Sequence, residues 1–482
     1  MLVGFDGEIL ATATRVHAVD RPHPGHVEMD AELWWDEFVQ LSRELLNAVE
    51  VDAVEVDVVA VGVSGMGPCV LVTDEAGVAL RPAILYGIDS RATAQIERLT
   101  TELGGADVIR ARCGSALSTQ AVGPKLGWLA ENEPDVFARA RRLFMPSSWL
   151  VWRLTGNYLL DRHSASQCTP LYDVASGSWY APWTSAIAPQ LELPPLVWPG
   201  DVAGVVGTDV AALTGLPVGI PVIAGTIDAW SEAVSVGAQS VGDLMLMYGT
   251  TMFLINTVAE PITSPALWGT VGAFPGTHSL AGGMATSGAI TGWLRELFGS
   301  ADYPELIALA KASGPGARGL VMLPYFAGER TPIADPDARG ILAGLTLSHT
   351  RGDLYRAALE ATALGLRHNI EAMTEAGARI GRIVAVGGGA QGTLWTQIVS
   401  DVTGLPQVIP TQTIGASLGA AFLAASAVAE VHIDDWNPPK EIREARAETS
   451  ADYEELYRLY RELYPVTRGI SHALAERQRR LS

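Results

Sequence analysis

Apolar and polar positions repeat with two different periods along the chain, and the change of period marks its elements. Residues 2–5 form an apolar run, Asp6-Gly7 interrupts it, and a second run follows at 9–14. An Asp-Gly pair between two such runs predicts a β-hairpin. Asp30 is a suitable N-cap for a helix that places Trp34, Phe38, Leu41 and Leu45 on one face. The Val-rich run at 58–63 ends at Ser64-Gly65 and fits a strand buried on both faces. Residues 70–73 and 79–85, around a turn at 74–77, predict a second hairpin. The stretch 99–189 reads as mainly helical and rich in loops.

Strand signals return at 218–224 and run directly into Gly225-Thr226-Ile227-Asp228. The run 243–248 ends in Gly249-Thr250-Thr251. Residues 382–386 lead into Gly387-Gly388-Gly389 and then a helix with Trp395, Ile398, Val399 and Val402 on one face, followed by a strand at 407–409. Strand, glycine-rich turn and helix thus recur in both halves. The fold class is α/β with mixed sheets, in two related domains meeting near residue 240 (1–239 and 240–482). The C-terminal segment predicts a helix with Tyr453, Leu456, Tyr460, Leu463 and Tyr464 on the face that docks on its own domain.

Charge narrows the function. The 482 residues carry 33 Lys plus Arg against 53 Asp plus Glu, a formal net charge of −20. That balance argues against nucleic acid and anionic membrane as partners, because both need a basic patch. Anionic small molecules stay open, since backbone amides and Mg2+ can hold them. Cys69, Cys113 and Cys168 support no disulfide framework and no CxxC site, which favours a reducing, cytoplasmic setting. The N-terminus lacks the basic-then-apolar pattern of a signal peptide. The apolar run 244–255 is broken by Gly249, Thr250 and Thr251, so no membrane span is expected.

Several motifs fail on their context. GGGAQG at 387–392 follows a strand and opens a helix, as a dinucleotide turn would. The next strand, however, ends in Pro410-Thr411-Gln412-Thr413, without the carboxylate that binds a ribose. A turn that lets a flat ligand such as adenosine approach the backbone survives. Gly-Lys never occurs, which removes the P-loop. HExxH is missing and the nine His are scattered, so no metal centre is expected. Gly415-Ala416-Ser417-Leu418-Gly419 matches a nucleophile elbow only by chance, because it opens a helix well after its strand. Gly415 and Gly419, one helical turn apart, mark close helix packing. Asp228, directly after a strand, is placed as a general base or a helix cap. Gly249-Thr250-Thr251 is placed as a phosphate cradle or an ordinary turn.

The order of these signals resembles the FGGY carbohydrate kinases, relatives of the actin-like and hexokinase ATPases, over nearly the whole chain. GHVEMDAELWW at 25–35, AGTIDAWSEAVSVGA at 224–238 and LMLMYGTT at 244–251 resemble the family's ordered segments. So do LPYFAGERTPIADPDARG at 323–340, VGGGAQGTLWTQIVSDVTGLP at 386–406 and GASLGAAFLAA at 415–425. The resemblance implies ATP- and Mg2+-dependent phosphorylation of a sugar hydroxyl, in a cleft between two ribonuclease-H-like domains. It makes Asp228 the general base. Gly249, Thr250 and Thr251 would hold the phosphoryl group, and Gly388, Gly389 and Gln391 would lie against adenosine.

The sequence departs from the family at both ends of that site. The family's opening strand and D-x-G-T-[TS] phosphate turn lie ahead of where this chain starts. A late start or a shortened chain is one reading; a catalytically impaired or non-catalytic nucleotide- or sugar-binding relative is the other. Xylulose kinases carry Met-His-Gly where this chain has Met66-Gly67-Pro68. A W-x-D-x-R element is matched only loosely by Tyr86-Gly87-Ile88-Asp89-Ser90-Arg91. Met66, Asp89 and Arg91 are the sugar-binding candidates, for a xylulose-like pentulose, with a tetrulose or a glycerol- or erythritol-like polyol left open. Glu329 and Arg330 read as a structural pair bracing the interdomain region. A homodimer is compatible with the sequence, which does not decide it.

Overall fold

The computed structural model describes residues 1–51 and 56–481. The expected hairpin is present as β1 (Leu2–Val3) and β2 (Ile9–Ala11), paired antiparallel with strands shorter than the apolar runs. Gly7 in its turn has φ 84°, and a Cβ there would lie 2.5 Å from the Trp436 backbone. The first helix, α1 (Ala31–Val51), is capped by Asp30, whose Oδ1 accepts the Glu32 N–H at 3.0 Å. Trp34, Trp35 and Leu45 are buried, while Glu32, Asp36 and Glu44 face solvent.

The run 58–63 departs from expectation. Its backbone joins a sheet through Val61 alone, which donates to Pro221 O and accepts from Ile223 N–H. Val61 and Val63 are buried, but Val59 is 41% exposed, so the run is covered only towards its end. The opposite edge borders an apolar groove of about 590 Å³ lined by Leu2, Leu10, Phe38 and Ala424. Among the described residues no strand pairs with that edge, and on the β4 side the pairing is a single bridge. Immediately after it, β3 (Ser64–Gly65) enters the protein centre. The second hairpin holds: Val70 and Ile84 exchange backbone hydrogen bonds of 2.8 and 2.9 Å.

The helical stretch that follows includes α2 (Val122–Asn132) and the short α3 (Arg162–Ser166). The chain then returns through β4 (Pro221–Ile223) and β5 (Thr226–Ile227), and β5 pairs in parallel with β3. Helix α4 (Asp228–Ser235) starts on the next residue.

The C-terminal half is built on one mixed sheet. Its strands are β6 (Asp243–Tyr248), β7 (Met252–Val258), β8 (Trp268–Val271) and β9 (His278–Met284). Beyond helix α5 (Arg351–Glu375) come β10 (Arg382–Val386) and helix α6 (Thr393–Thr403). Then follow β11 (Gln407–Pro410), helix α7 (Ala416–Ser426) and β12 (Pro439–Arg443). The order across the sheet is β8-β9-β7-β6-β10-β11-β12. Strands β6, β10 and β11 run parallel and the rest antiparallel.

The last helix, α8 (Ser450–Leu481), docks as expected: Tyr453, Tyr457 and Tyr460 are buried on its domain. It is anchored by the buried Arg356, which pairs with Glu360 at 2.7 Å and donates to the Tyr453 hydroxyl at 2.6 Å. A shared core joins the halves, with Ile227 and Trp230 packed in one cluster with Met245 and Val384.

Helices α4 and α7 approach to backbone contact, as the Gly415–Gly419 spacing predicts. A Cβ on Gly419 would sit 1.8 Å from Ser231 O. The Ser231 hydroxyl donates to Ala416 O at 2.8 Å in the same contact. Gly419→Ala is therefore expected to lower unfolding stability by about 2 kcal/mol, as overpacking does. Urea unfolding checks this, and an unchanged midpoint contradicts the contact.

Candidate active site

Asp228 owes its position to the parallel pairing of β3 with β5. The strand ends at Ile227, so the Asp228 carboxylate opens α4 at a strand's carboxyl end, where the fold leaves space. It faces a cavity of about 730 Å³. Its Oδ1 accepts the Ala229 N–H at 2.8 Å. Although it opens to the cleft, the walls strip away much of its water, and this raises its pKa above the ordinary carboxyl value, against the Ala229 hydrogen bond. One turn on, Glu232 lines the same cavity. Its pKa is raised first by burial and then by the negative charge of Asp228.

The cavity gathers residues from both halves. Met66 lines it with Tyr86, and Thr251 of the β6–β7 turn and Phe253 of β7 line it from the other half. Within that turn the Gly249 N–H donates to Thr251 O at 3.1 Å. Gly288 and Ala289 donate to Gly249 O and Thr250 O at 2.9 and 3.1 Å, which holds the turn rigid. The glycine turn after β10 lies beside it rather than in the cavity. Gly387, at φ 84°, leaves no room for a side chain, since a Cβ would meet Tyr248 O at 2.8 Å. Gly388 differs: nothing lies within 4 Å of its missing Cβ, and it is exposed, as is Gln391. Gly389 packs under Trp395 and Tyr248.

Asp89 and Arg91 do not line the cavity. Asp89 is buried, pairs with Arg91 at 2.7 Å and accepts the Val27 N–H at 2.6 Å. The fully buried Arg91 side chain also pairs with Glu28 at 2.6 Å and covers the Trp128 ring at 4.8 Å. This ion pair is a lock behind the cavity wall that Tyr86 and Ile88 form. Glu329 and Arg330 separate as well. Glu329 is buried and braces the backbone, its Oε1 accepting from Ala285 and Arg330 N–H at 2.8 and 2.7 Å. Arg330 instead reaches the cavity.

The chain matches the N-terminal domain of the FGGY family of carbohydrate kinases over residues 1–235 and its C-terminal domain over 244–428. It belongs to that family. The carbohydrate kinase is 29% identical over 480 residues to a xylulose kinase of Escherichia coli strain K12, covering 97% of each chain. It is 34% identical over 444 residues to a glycerol kinase of Aromatoleum aromaticum, covering 89% of this chain and 87% of that one. The crystal structure of xylulose kinase from Rhodospirillum rubrum superposes with a TM-score of 0.91 at 33% identity, covering 98% of this chain and 96% of that one. The fold is therefore that of the actin- and hexokinase-type sugar kinases. Among the described residues, no helix is long and apolar enough to cross a membrane.

Other residues of this kinase's cavity escaped sequence reading. Gln120, Gln167, Trp230, Trp268 and Thr270 all line it. Gln120 and Gln167 lie in turns, Trp230 on α4, and Trp268 and Thr270 on β8; they form no motif, so only Trp230, two residues after Asp228, carried any positional signal.

Glu329 supplies a pH signature. Burial pushes its carboxyl up to about 7. A raised carboxyl pKa adds stability below the unfolded value, and that stability is lost as pH rises through the folded value. Relative to Glu329→Gln, the parent is expected to lose about 3 kcal/mol of stability between pH 4 and 8. Denaturant unfolding of both proteins across that range checks it, and a constant difference would refute it.

Proposed function

We propose that this kinase transfers the γ-phosphoryl group of ATP to a hydroxyl of a pentulose such as xylulose, with Asp228 as general base. The reading is supported chiefly by one observation: the Asp228 carboxylate opens into a cavity that Thr251 of the β6–β7 turn also lines. Xylulose kinases among the relatives add weight to a pentulose.

In this mechanism Asp228 accepts the proton as the substrate oxygen bonds to phosphorus and the bond to ADP breaks. Its desolvated carboxylate is a stronger base than one in water, and no cation pairs with it among the described residues. Thr250 and Thr251 would hold the phosphoryl oxygens through their amide and hydroxyl donors, while Gly249, its N–H already given to Thr251 O, shapes a turn that is rigid before ligand arrives. The open face of Gly388, with Gly389 and Gln391, fits adenosine lying against the backbone. Mg2+ would neutralise phosphate charge, bound mainly by the phosphates themselves. Met66 would form the sugar wall, with Asp89 and Arg91 acting through the segment they lock. The domain boundary is proposed near residue 240, so that base and adenosine turn lie on opposite domains. Closure of the cleft would then exclude water.

ADP release with Mg-ATP against tetruloses, pentuloses, hexuloses and polyols tests the reading. Stimulation by a pentulose is expected, and stimulation by glycerol alone would replace the substrate class. Asp228→Asn is expected to lower that turnover by about 10³-fold while leaving binding of a non-hydrolysable ATP analogue unchanged. Retained turnover would remove Asp228 as the base.

A further inference from the structure

We propose that Gln167 is a specificity-determining residue of the substrate cavity: the neutral imidazole of His163 orients its amide so that Oε1 accepts a hydroxyl of the substrate. The proposal rests on the reading of the Asp228 cavity as the sugar site.

His163 is fully buried on α3, with Nδ1 2.6 Å from Val271 O and Nε2 2.8 Å from the Gln167 side-chain nitrogen. A backbone carbonyl only accepts, so Nδ1 carries the proton. A neutral imidazole has one donor and one acceptor nitrogen, which leaves Nε2 with a lone pair. Burial keeps the ring neutral, holding its pKa down to about 3 against the Val271 hydrogen bond. The partner of Nε2 must therefore be the NH₂ end of Gln167. The reverse orientation would set two lone pairs against each other.

The oxygen end is left over. Gln167 lines the cavity, and among the described residues its Oε1 accepts no hydrogen bond and is not a buried orphan. It is thus an oriented acceptor open to the cavity. An acceptor of this kind selects a donor: a hydroxyl fits, whereas a carbonyl or carboxylate oxygen at the same place is repelled.

The arrangement is tied to the base. The Thr226 hydroxyl, two residues before Asp228, donates at 2.8 Å to Asp161 Oδ1, which also caps α3 through the Ser164 N–H at 3.0 Å. Trp230, two residues after Asp228, packs on the His163 ring at 3.9 Å between centroids and donates to the Ser279 hydroxyl at 3.0 Å. The distance from Asp228 to Gln167 is therefore set by packed and hydrogen-bonded groups, not by a free loop.

Binding of D-xylulose, its single-deoxy analogues and glycerol, followed by intrinsic tryptophan fluorescence beside ADP release, tests the proposal. Gln167→Leu is expected to weaken D-xylulose binding about tenfold and to raise KM in step, with kcat within about twofold. One deoxy analogue should bind the parent about tenfold more weakly than D-xylulose, yet bind Gln167→Leu as well as D-xylulose does. His163→Asn retains a donor for Val271 O but removes the acceptor for Gln167. It should reduce the same discrimination in protein that still unfolds cooperatively. Parent-like affinity and parent-like discrimination at every hydroxyl in Gln167→Leu would overturn the inference and leave the kinase reading standing. A parent that neither binds nor turns over D-xylulose or glycerol would overturn that reading and the inference with it.

Discussion

The contact on which the cleft depends is the backbone approach of α4 to α7. Helix α4 begins with Asp228, and it can seat against the cavity only because Gly419 lets the Ser231 carbonyl come within what would be bonding distance of a side chain. A similar approach holds Gly62 against the Ala420 carbonyl. Two glycines, Gly419 on α7 and Gly62 in the 58–63 run, therefore bring α4, α7 and that run into backbone contact. A side chain at either glycine would push these segments, and with them the Asp228 carboxylate, apart.

A second constraint is how the protein treats buried charge. Moving a carboxylate out of water is costly unless a cation or several donors compensate. Asp89 is compensated by Arg91 and the Val27 amide, and is thereby unavailable to a ligand. Among the described residues, Asp228 receives only the Ala229 amide. Among the described residues no cation offsets its desolvation, the condition that the proposed base requires. Glu329 is intermediate, desolvated yet held by two backbone amides, and so suited to bracing the chain beside Arg330. Asp89 and Glu329 are buried and compensated, whereas Asp228 stands open to the cavity, so the three carboxyl groups differ in what faces them.

Expectations from pattern held where the signal was local. Asp30 caps α1, and the tyrosine face of α8 docks, because both follow from residue spacing within one element. The run 58–63 shows the limit. Its Val-rich composition suits a strand, but a ladder needs a partner running in register along it, and among the described residues the partner β4 meets it at Val61 alone. The paired appearance of Asp89 and Arg91 was legible as polar chemistry. Which way the pair faced was not, because that depends on Glu28 and Trp128 brought in from elsewhere in the chain.

The sequence by itself determined the α/β class, the recurrence of strand, glycine turn and helix in two halves, and the ordered segments that mark a carbohydrate kinase. These are properties of neighbouring residues: period, turn chemistry and spacing. Only the tertiary structure decided that Met66 faces the cavity while Asp89 and Arg91 do not. It alone separated Glu329 from Arg330 and brought Gln167 and Trp230 to the cleft. The physical reason is that orientation and desolvation arise from groups distant in sequence. A side chain's role as base, lock or ligand contact depends on what is packed against it.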